Sequence, residues 1–457
     1  DVLPGTNVIN DYTVAEYTLA LAEYLLETKQ SERGVILGGD TRIKSILPYR
    51  DEISYVELEA KILRMKGIKV YRFKSPRSIA QVAWATLKFD AASMEYNSAS
   101  HNVWFDNGVK ASNEFSAQLF ANEREGILIK MLGIDAEKIG KLQLDGFDLE
   151  EDRRNNPDMH IVLGSFEDHQ QDPAIIDIDS EYIKVNQSYV INNELIRGYS
   201  SKVNSFFTPI QGAGIYTIPQ VFNDGKDFRF NAFVYDAQAY QDTECRFSTV
   251  EKPDPNFMNQ KTGARTMDKA IQEAEKIAQE KGIVFDFVFG TDPDADRSSY
   301  VVRNRNGEWT ILKANDVWSL FTWYIMKQKN DLPEDTYVIK TWVTTDLIKV
   351  IAEDLKRGLK VFEPAVGFNK IAEVALKAIV LPILAQRYNV SIDMLNMINP
   401  LTLDGLVETL DVISRIEMMA EINAILRKHL LFGAEESNGF SPGGHTLEKD
   451  GAVAGEI

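Results

Sequence analysis

Apolar positions in the first third of the chain alternate between two periods. Val14, Tyr17, Leu21 and Leu25 recur at helical spacing, and Thr13 with Glu16 has the spacing of a capping box. Together they predict a helix from Thr13 to about Thr28. Gly34–Gly38 is a short apolar run that reads as a buried strand, with Asp40-Thr41-Arg42 directly after it. A helix is predicted from about Glu52 to Met65, stopped by Gly67, then a strand from Ile68 to Phe73 and a helix from about Ser78 to Lys88. Strands alternating with helices imply a parallel sheet covered on both faces. In such sheets ligands lie at the carboxyl ends of the strands.

The alternation is lost between residues 150 and 190. Asn155, Asn156, Pro157, Gln170, Gln171 and Asp172 make this stretch polar, and it reads as loops with irregular helix near a domain boundary. A second α/β unit begins near Phe206. It holds a helix from Met267 to Glu280, ended by Gly282, and a strand from Val284 to Phe289 that runs into Gly290-Thr291-Asp292. A third unit starts near Ala314, with a strand from Tyr337 to Trp342 and a helix after Thr344. Residues 374–430 are apolar and helical, from Val374 to Leu384 and from Leu406 to Leu431. Met394, Met397, Met418 and Met419 in this stretch read as core fillers. The expected division is 1–190, 191–313 and 314–457.

The 457 residues suffice for two to four domains with full cores. Hydrophobic residues at 44% and charged residues at 26% are ordinary for a globular protein in water. Lys plus Arg is 50 against 68 Asp plus Glu, a net charge of -18, which argues against a nucleic-acid partner. Small phosphorylated substrates remain open, because a phosphate site needs only a few local cations. Cys245 is the single cysteine and reads as an inert, partly buried thiol in a reducing compartment. No apolar run approaches the ~20 residues of a membrane span, and no secretory signal is read. A cytoplasmic location is expected. The chain begins with Asp1 rather than Met, so this start need not be the biological one.

Three loops carry candidate chemistry. Asp292-Pro293-Asp294-Ala295-Asp296-Arg297 places three carboxylates at alternate positions after a strand. In a turn they can converge on one hard cation such as Mg²⁺ or Ca²⁺. An EF-hand is the rival, but its sixth position holds Arg297 instead of Gly and its twelfth Arg303 instead of Glu. Arg297 beside the acids suits a phosphate held against the metal. Ser98-Ala99-Ser100-His101-Asn102, with Lys110 soon after, is by itself a polar turn. A serine beside a histidine is a weak triad signal, since sequence neighbours rarely have triad geometry. Gly433-Ala434-Glu435-Glu436-Ser437-Asn438-Gly439 follows an apolar strand from Leu430 to Phe432. Its carboxylate and hydroxyl suit recognition of sugar hydroxyls.

In this order the three loops resemble those of the α-D-phosphohexomutase family, which includes phosphoglucomutases and phosphomannomutases. Further matches run along the chain: Gly5-Thr6-Asn7 and Asp40-Thr41-Arg42; Thr208-Pro209 with Gly212-Ala213-Gly214, and Pro253–Phe257; Lys340-Thr341 with Thr344-Thr345-Asp346, and Val366-Gly367-Phe368. The pattern is most similar to the branch of longer phosphoglucomutases and phosphopentomutases. The resemblance implies three consecutive mixed-sheet α/β domains. It implies a mutase interconverting sugar 1- and 6-phosphates, glucose first among them, through a phosphoserine and a sugar 1,6-bisphosphate intermediate. Ser100 would carry the phosphate. Asp292, Asp294 and Asp296, with a Ser100 oxygen, would bind one Mg²⁺. Arg42 and Arg297 would stabilise the phosphoryl charge, and Lys110 or His101 would handle the proton or orient the phosphate. Glu435, Ser437, Asn438, Gly367 and Lys370 would contact the sugar phosphate.

The chain also departs from the family pattern. Val103 replaces the proline after S-H-N, and the G-F-K lysine arrives one place late, as Lys370. The helical stretch 374–430 reads as an insertion expected to serve as an interface with a second copy or a partner. The family's Gly-rich opening segment and its fourth, phosphate-binding domain have no counterpart, so an incomplete chain of a longer protein is expected. Two other functions compete. One is a non-catalytic relative with an assembly or regulatory role. The other is a phosphatase using D-x-D-x-T, which Asp296 at the fifth position disfavours.

Overall fold

The structure, a computed structural model, describes residues 8–192, 194–195, 198, 203–222, 231–329, 332–355, 358–412 and 414–456. Gly5, Thr6 and Asn7 lie outside this set. Three sheets follow one another along the chain. The first contains β1 (Val35–Gly39), β2 (Val70–Phe73), β3 (Ser93–Asn97), β4 (Val109–Asn113), β5 (His160–Gly164) and β6 (Ile175–Asp177). Their order is β4-β3-β1-β2-β5-β6, parallel except for β4. The second contains β7 (Asn204–Thr208), β8 (Asn231–Val234), β9 (Phe287–Thr291), β10 (Ser298–Arg303) and β11 (Trp309–Ile311), in the order β11-β10-β9-β7-β8. The third contains β12 (Thr336–Lys340), β13 (Leu359–Phe362), β14 (Leu430–Ala434) and β15 (Phe440–Ser441), in the order β13-β12-β14-β15. The architecture is three mixed-sheet α/β domains.

The sequence pattern and the structure differ at several places. The first helix is Asp11–Glu27, and its capping box lies one turn earlier than predicted. Asn10 Oδ1 accepts from Thr13 N–H at 3.1 Å while Thr13 Oγ1 accepts from Asn10 N–H at 3.0 Å. The second helix starts at Tyr55 because Ser54 caps it through Glu57. The polar stretch 150–190 is not a run of loops. It carries β5 and β6, which complete the first sheet, and three short helices. These strands are only five and three residues long, and capping residues such as Ser165 abut them, so turn chemistry hides them.

The helical stretch, expected as an interface, buries much of its apolar surface in the chain's own core. It divides into helices 368–374, 381–387, 392–396, 403–410 and 415–429, with a π-helical turn at 375–380. Leu376, Ile379, Leu384, Leu406, Met418, Ile422 and Leu426 are buried in one core, which also takes Phe115 and Ala117 from the first domain. Of the four methionines expected in the core, Met418 and Met419 are there, but Met394 and Met397 face solvent. Arg415 ties this element to the first domain through Asp90 at 3.1 Å and Glu114 at 2.5 Å.

Two carboxyls lie fully buried beneath the first sheet, Glu59 on helix 55–65 and Glu95 on β3. Asn97 Nδ2 donates to Glu59 at 2.8 Å and Thr18 Oγ1 to Glu95 at 3.2 Å, and each carboxyl keeps one oxygen without a hydrogen-bond partner. Burial pushes Glu95 up to about 8, and burial followed by the Glu95 charge pushes Glu59 well above its usual range. A carboxyl raised on folding binds more protons folded than unfolded, so stability is full below the unfolded value and is lost as pH rises toward the folded one. Between pH 5 and pH 8 the loss from Glu95 is on the order of 3 kcal/mol. Glu95→Gln should therefore be the more stable form at pH 8 and lie close to wild type at pH 5. Urea unfolding at both values checks this; parallel changes in the two proteins would refute it.

Candidate active site

β1, β3 and β9 end toward one region, and the loop after β14 joins them there. Each contributing loop holds a non-glycine residue at positive φ: Ser100 at 52°, Ala295 at 54° and Asn438 at 69°. Such conformations persist only where surroundings over-determine them, and they cluster at functional sites. Here the surroundings are backbone ties between domains. Ile79 N–H donates to Asp294 O at 3.0 Å, Gly451 N–H to Ala295 O at 3.1 Å, and Arg297 bridges Gly439 in antiparallel fashion. Thr41 Oγ1 donates to Gln211 O at 2.7 Å. At Gly212 a Cβ would meet Pro293 Cα at 2.6 Å, so only glycine lets that loop approach the acidic turn.

The acidic turn and the serine loop meet directly. Ser100 Oγ donates to Asp292 Oδ2 at 2.8 Å. His101 Nδ1 stands 3.4 Å from the same Oγ. Lys110 Nζ contacts Asp294 at 2.5 Å and Asp296 at 3.4 Å. Arg297 N–H donates to Asp292 at 3.1 Å, and its Nε lies 3.8 Å from Asp296 without a hydrogen-bond partner. Asp292, Asp294 and Asp296 are fully buried, and one ligand oxygen from each falls within 4.8 Å of the others. Among the described residues Asp294 Oδ1 and Asp296 Oδ1 have no hydrogen-bond partner. Clustered, buried carboxylate oxygens with open lone pairs fit a hard divalent cation such as Mg²⁺.

The three acids are not equivalent. Burial, then the charges of Asp294 and Asp296, pushes the Asp292 carboxyl well above the usual range. Burial acts on Asp296 too, but Lys449, Lys110 and Arg297 outweigh it and hold that carboxyl well below. Burial and then the Arg297 charge push His101 down to about 4, which leaves its imidazole neutral at pH 7. Burial also opposes the Lys110 charge, but Asp294 and Asp296 keep it cationic.

Arg42 is placed differently from the expectation that it meets a phosphoryl group. Its guanidinium is fully buried and donates to the carbonyls of Asn102 and Val103 at 2.7 Å, Asp106 at 3.1 Å, and Ser100. It thus fastens the serine loop from behind. Asp40 completes that fastening. It accepts from Ser98 Oγ at 2.7 Å, and Ser98 Oγ in turn accepts from Ser100 N–H at 2.7 Å. In the sugar loop, Glu435 accepts from Gly367 N–H and from Ser437 Oγ, both at 3.2 Å. Asn438 is buried, and its Nδ2 donates to Ser298 O at 2.8 Å. Lys370 is half-buried and pairs with Glu373 on its own helix at 3.1 Å.

Sequence reasoning missed Asp40, Ser98 and Lys449 as parts of the site. Lys449 Nζ lies 2.7 Å from Asp296. The only sequence signal for it was physical: three crowded acids require more cations than Arg297.

The described residues form an α/β chain that gathers a serine loop, a buried acid triad and a carboxylate–hydroxyl loop in one place. Residues 3–138 match the model for phosphoglucomutase/phosphomannomutase, alpha/beta/alpha domain I, and residues 181–307 match that for domain II. The chain belongs to the α-D-phosphohexomutase family. It is 26% identical over 463 residues to glucose 1,6-bisphosphate synthase of Homo sapiens, covering 99% of this chain and 61% of that protein. It is 24% identical over 379 residues to phosphopentomutase of Homo sapiens, covering 80% of this chain and 55% of that protein. The chain thus spans little more than half the length of these relatives. The phosphoglucomutase pp63/parafusin of Paramecium, in its open form, shares the fold with a TM-score of 0.58 at 15% identity, over 99% of this chain and 69% of that one. No helix among the described residues is long and apolar enough to cross a membrane.

Proposed function

We propose that the protein is a phosphosugar mutase that interconverts the 1- and 6-phosphates of a hexose, glucose first among them, through phosphorylated Ser100. The observation that carries this reading is the 2.8 Å contact between Ser100 Oγ and Asp292, which sets a nucleophilic hydroxyl against the acid triad. A Mg²⁺ held by Asp292, Asp294, Asp296 and an oxygen on Ser100 would supply Lewis-acid stabilisation of the transferring phosphoryl group. In the first half-reaction the O–P bond to Ser100 Oγ breaks and one forms to a sugar hydroxyl oxygen, whose proton passes to a base. Neutral His101 suits that part, and cationic Lys110 suits orientation and charge balance. In the second half-reaction the other phosphoryl group moves from the turned bisphosphate back to Ser100 Oγ, and the proton returns to the freed hydroxyl.

Arg297, with its unpartnered Nε, is the cation for the developing phosphoryl charge, while Arg42 holds the loop. Glu435 and Ser437 hold sugar hydroxyls. Lys370 would meet the substrate's second phosphate on release from Glu373.

A second reading keeps the same serine chemistry but releases the bisphosphate as product, with Ser100 rephosphorylated each cycle by an external phosphoryl donor of the acyl-phosphate class. It is favoured by the match to the synthase, which spans 99% of this chain. A coupled assay of the full-length protein on glucose, mannose, glucosamine and pentose phosphates, with and without Mg²⁺, tests both. Metal-dependent formation of glucose 6-phosphate from glucose 1-phosphate is expected. Accumulation of bisphosphate when an acyl phosphate is also supplied would move the assignment to the second reading, and no turnover of any sugar phosphate, with or without that donor, would refute both.

A further inference from the structure

β12, β13 and β14 are mutually parallel, so their carboxyl ends lie along one edge of the third sheet. The loop after β14 is the one that holds Glu435 and Ser437. The loop after β12 is fastened to it: Thr341 N–H donates to Ala434 O at 3.3 Å and Thr341 Oγ1 to Glu436 at 2.8 Å. The loop after β13 is fastened to both. Trp342 N–H donates to Pro364 O at 3.1 Å, and Gly367 N–H donates to Glu435 at 3.2 Å. Glu435 therefore stands within a ring of three loops at the strand ends, the place where α/β sheets take their ligands.

Three apolar side chains on that ring face solvent: Trp342 is 65% exposed, Val343 51% and Val366 54%. Burying an indole is among the larger stabilising contributions a side chain can make, and this fold does not use it. Among the described residues the Trp342 ring has no stacking or cation partner. A pyranose ring has two kinds of surface, a rim of hydroxyls and a face of C–H bonds. Glu435 and Ser437 can satisfy the rim, and they offer nothing to the face. A rigid aromatic ring beside a few convergent polar groups is the usual composition of a small-molecule site. It also loses little conformational freedom on binding.

Building on the mutase reading, we propose that Trp342, flanked by Val343 and Val366, is a specificity-determining platform for the C–H face of the substrate's sugar ring. It favours a hexopyranose whose hydroxyls all lie equatorially. An axial hydroxyl, as in mannose, interrupts that face, and a pentofuranose covers less of the indole.

The test compares the full-length protein with Trp342→Ala and Trp342→Phe on glucose 1-phosphate, mannose 1-phosphate and ribose 1-phosphate. Trp342→Ala is expected to raise KM for glucose 1-phosphate about tenfold and to narrow the glucose-to-mannose ratio of kcat/KM. Trp342→Phe should recover most of both. Indole fluorescence should change when glucose 1-phosphate is added to wild type, and the change should shrink in Trp342→Phe. An alanine variant with the wild-type ratio, whether or not its kcat falls, overturns the platform and leaves the mutase reading standing. A wild type that neither binds nor turns over any of the three sugars overturns the mutase reading, and the platform with it.

Discussion

Ser100→Ala is expected to lower kcat by about 10⁴-fold or more and to leave no phosphate on the loop after incubation with glucose 1,6-bisphosphate. The size follows from the role. A nucleophile that forms the covalent intermediate cannot be bypassed, and water in its place would hydrolyse the phosphate rather than return it. The fold should be little affected, because the Ser100 side chain gives up only a hydrogen bond to Asp292 and a long one to His101, together worth about 1–2 kcal/mol. Ser98 is the informative control. Its hydroxyl is buried, donates to Asp40 and accepts from Ser100 N–H, so it shapes the loop and presents no free oxygen. Ser98→Ala should slow turnover by about 10²-fold through misplacement of Ser100 and still permit phosphorylation there. Rate measurements with intact-mass analysis of both variants separate the two serines. Wild-type turnover by Ser100→Ala, or phosphate found on Ser98, would end the phosphoserine assignment.

The contrast between these serines shows what the sequence made legible. Ser100, the three aspartates and Glu435 belong to short loops whose composition follows from local chemistry, and helix–strand alternation placed those loops at strand ends. Contacts that depend on distant residues were not legible. Arg42 sits only two residues after Asp40, yet its carbonyl partners lie around residues 100–106, a contact that only the fold creates. The family resemblance implies a sugar contact for Asn438, and nothing local in the sequence foretells its positive φ or its bond to Ser298. The stretch 374–430 shows a related limit. Periodicity reveals that an apolar face exists and is silent on what covers it, and here much of the cover is the chain's own core. β5 and β6 were hidden because very short strands between capped helices carry more turn residues than alternation.

Asp292→Asn and Asp296→Asn are expected to differ in stability, the second destabilised and the first not, while both lose most metal-dependent turnover. The motif treats the aspartates alike, but their surroundings do not. Asp296 faces Lys449 at 2.7 Å, Lys110 at 3.4 Å and Arg297 at 3.8 Å, all in a buried setting. Removing its charge strands those cations, and breaking such a buried arrangement costs about 3 kcal/mol. Asp292 has no cation within ion-pairing distance among the described residues. Its polar contacts are the Ser100 hydroxyl and the Arg297 N–H, and the charges of Asp294 and Asp296 crowd it. An amide there relieves repulsion and can donate toward Asp294, so in chelator Asp292→Asn should match wild type or exceed it by about 1 kcal/mol. Thermal unfolding with EDTA and then with Mg²⁺ resolves the two effects. In EDTA only Asp296→Asn should be destabilised. On adding Mg²⁺ only wild type should gain the stabilisation that a ligand specific for the native state confers. Turnover of both should fall about 10³-fold, the scale on which removal of one preorganised electrostatic group is felt. Equal losses of stability in EDTA would mean that the two carboxylates share one environment, and the division of the triad into a cation-balanced acid and a crowded one would then be wrong.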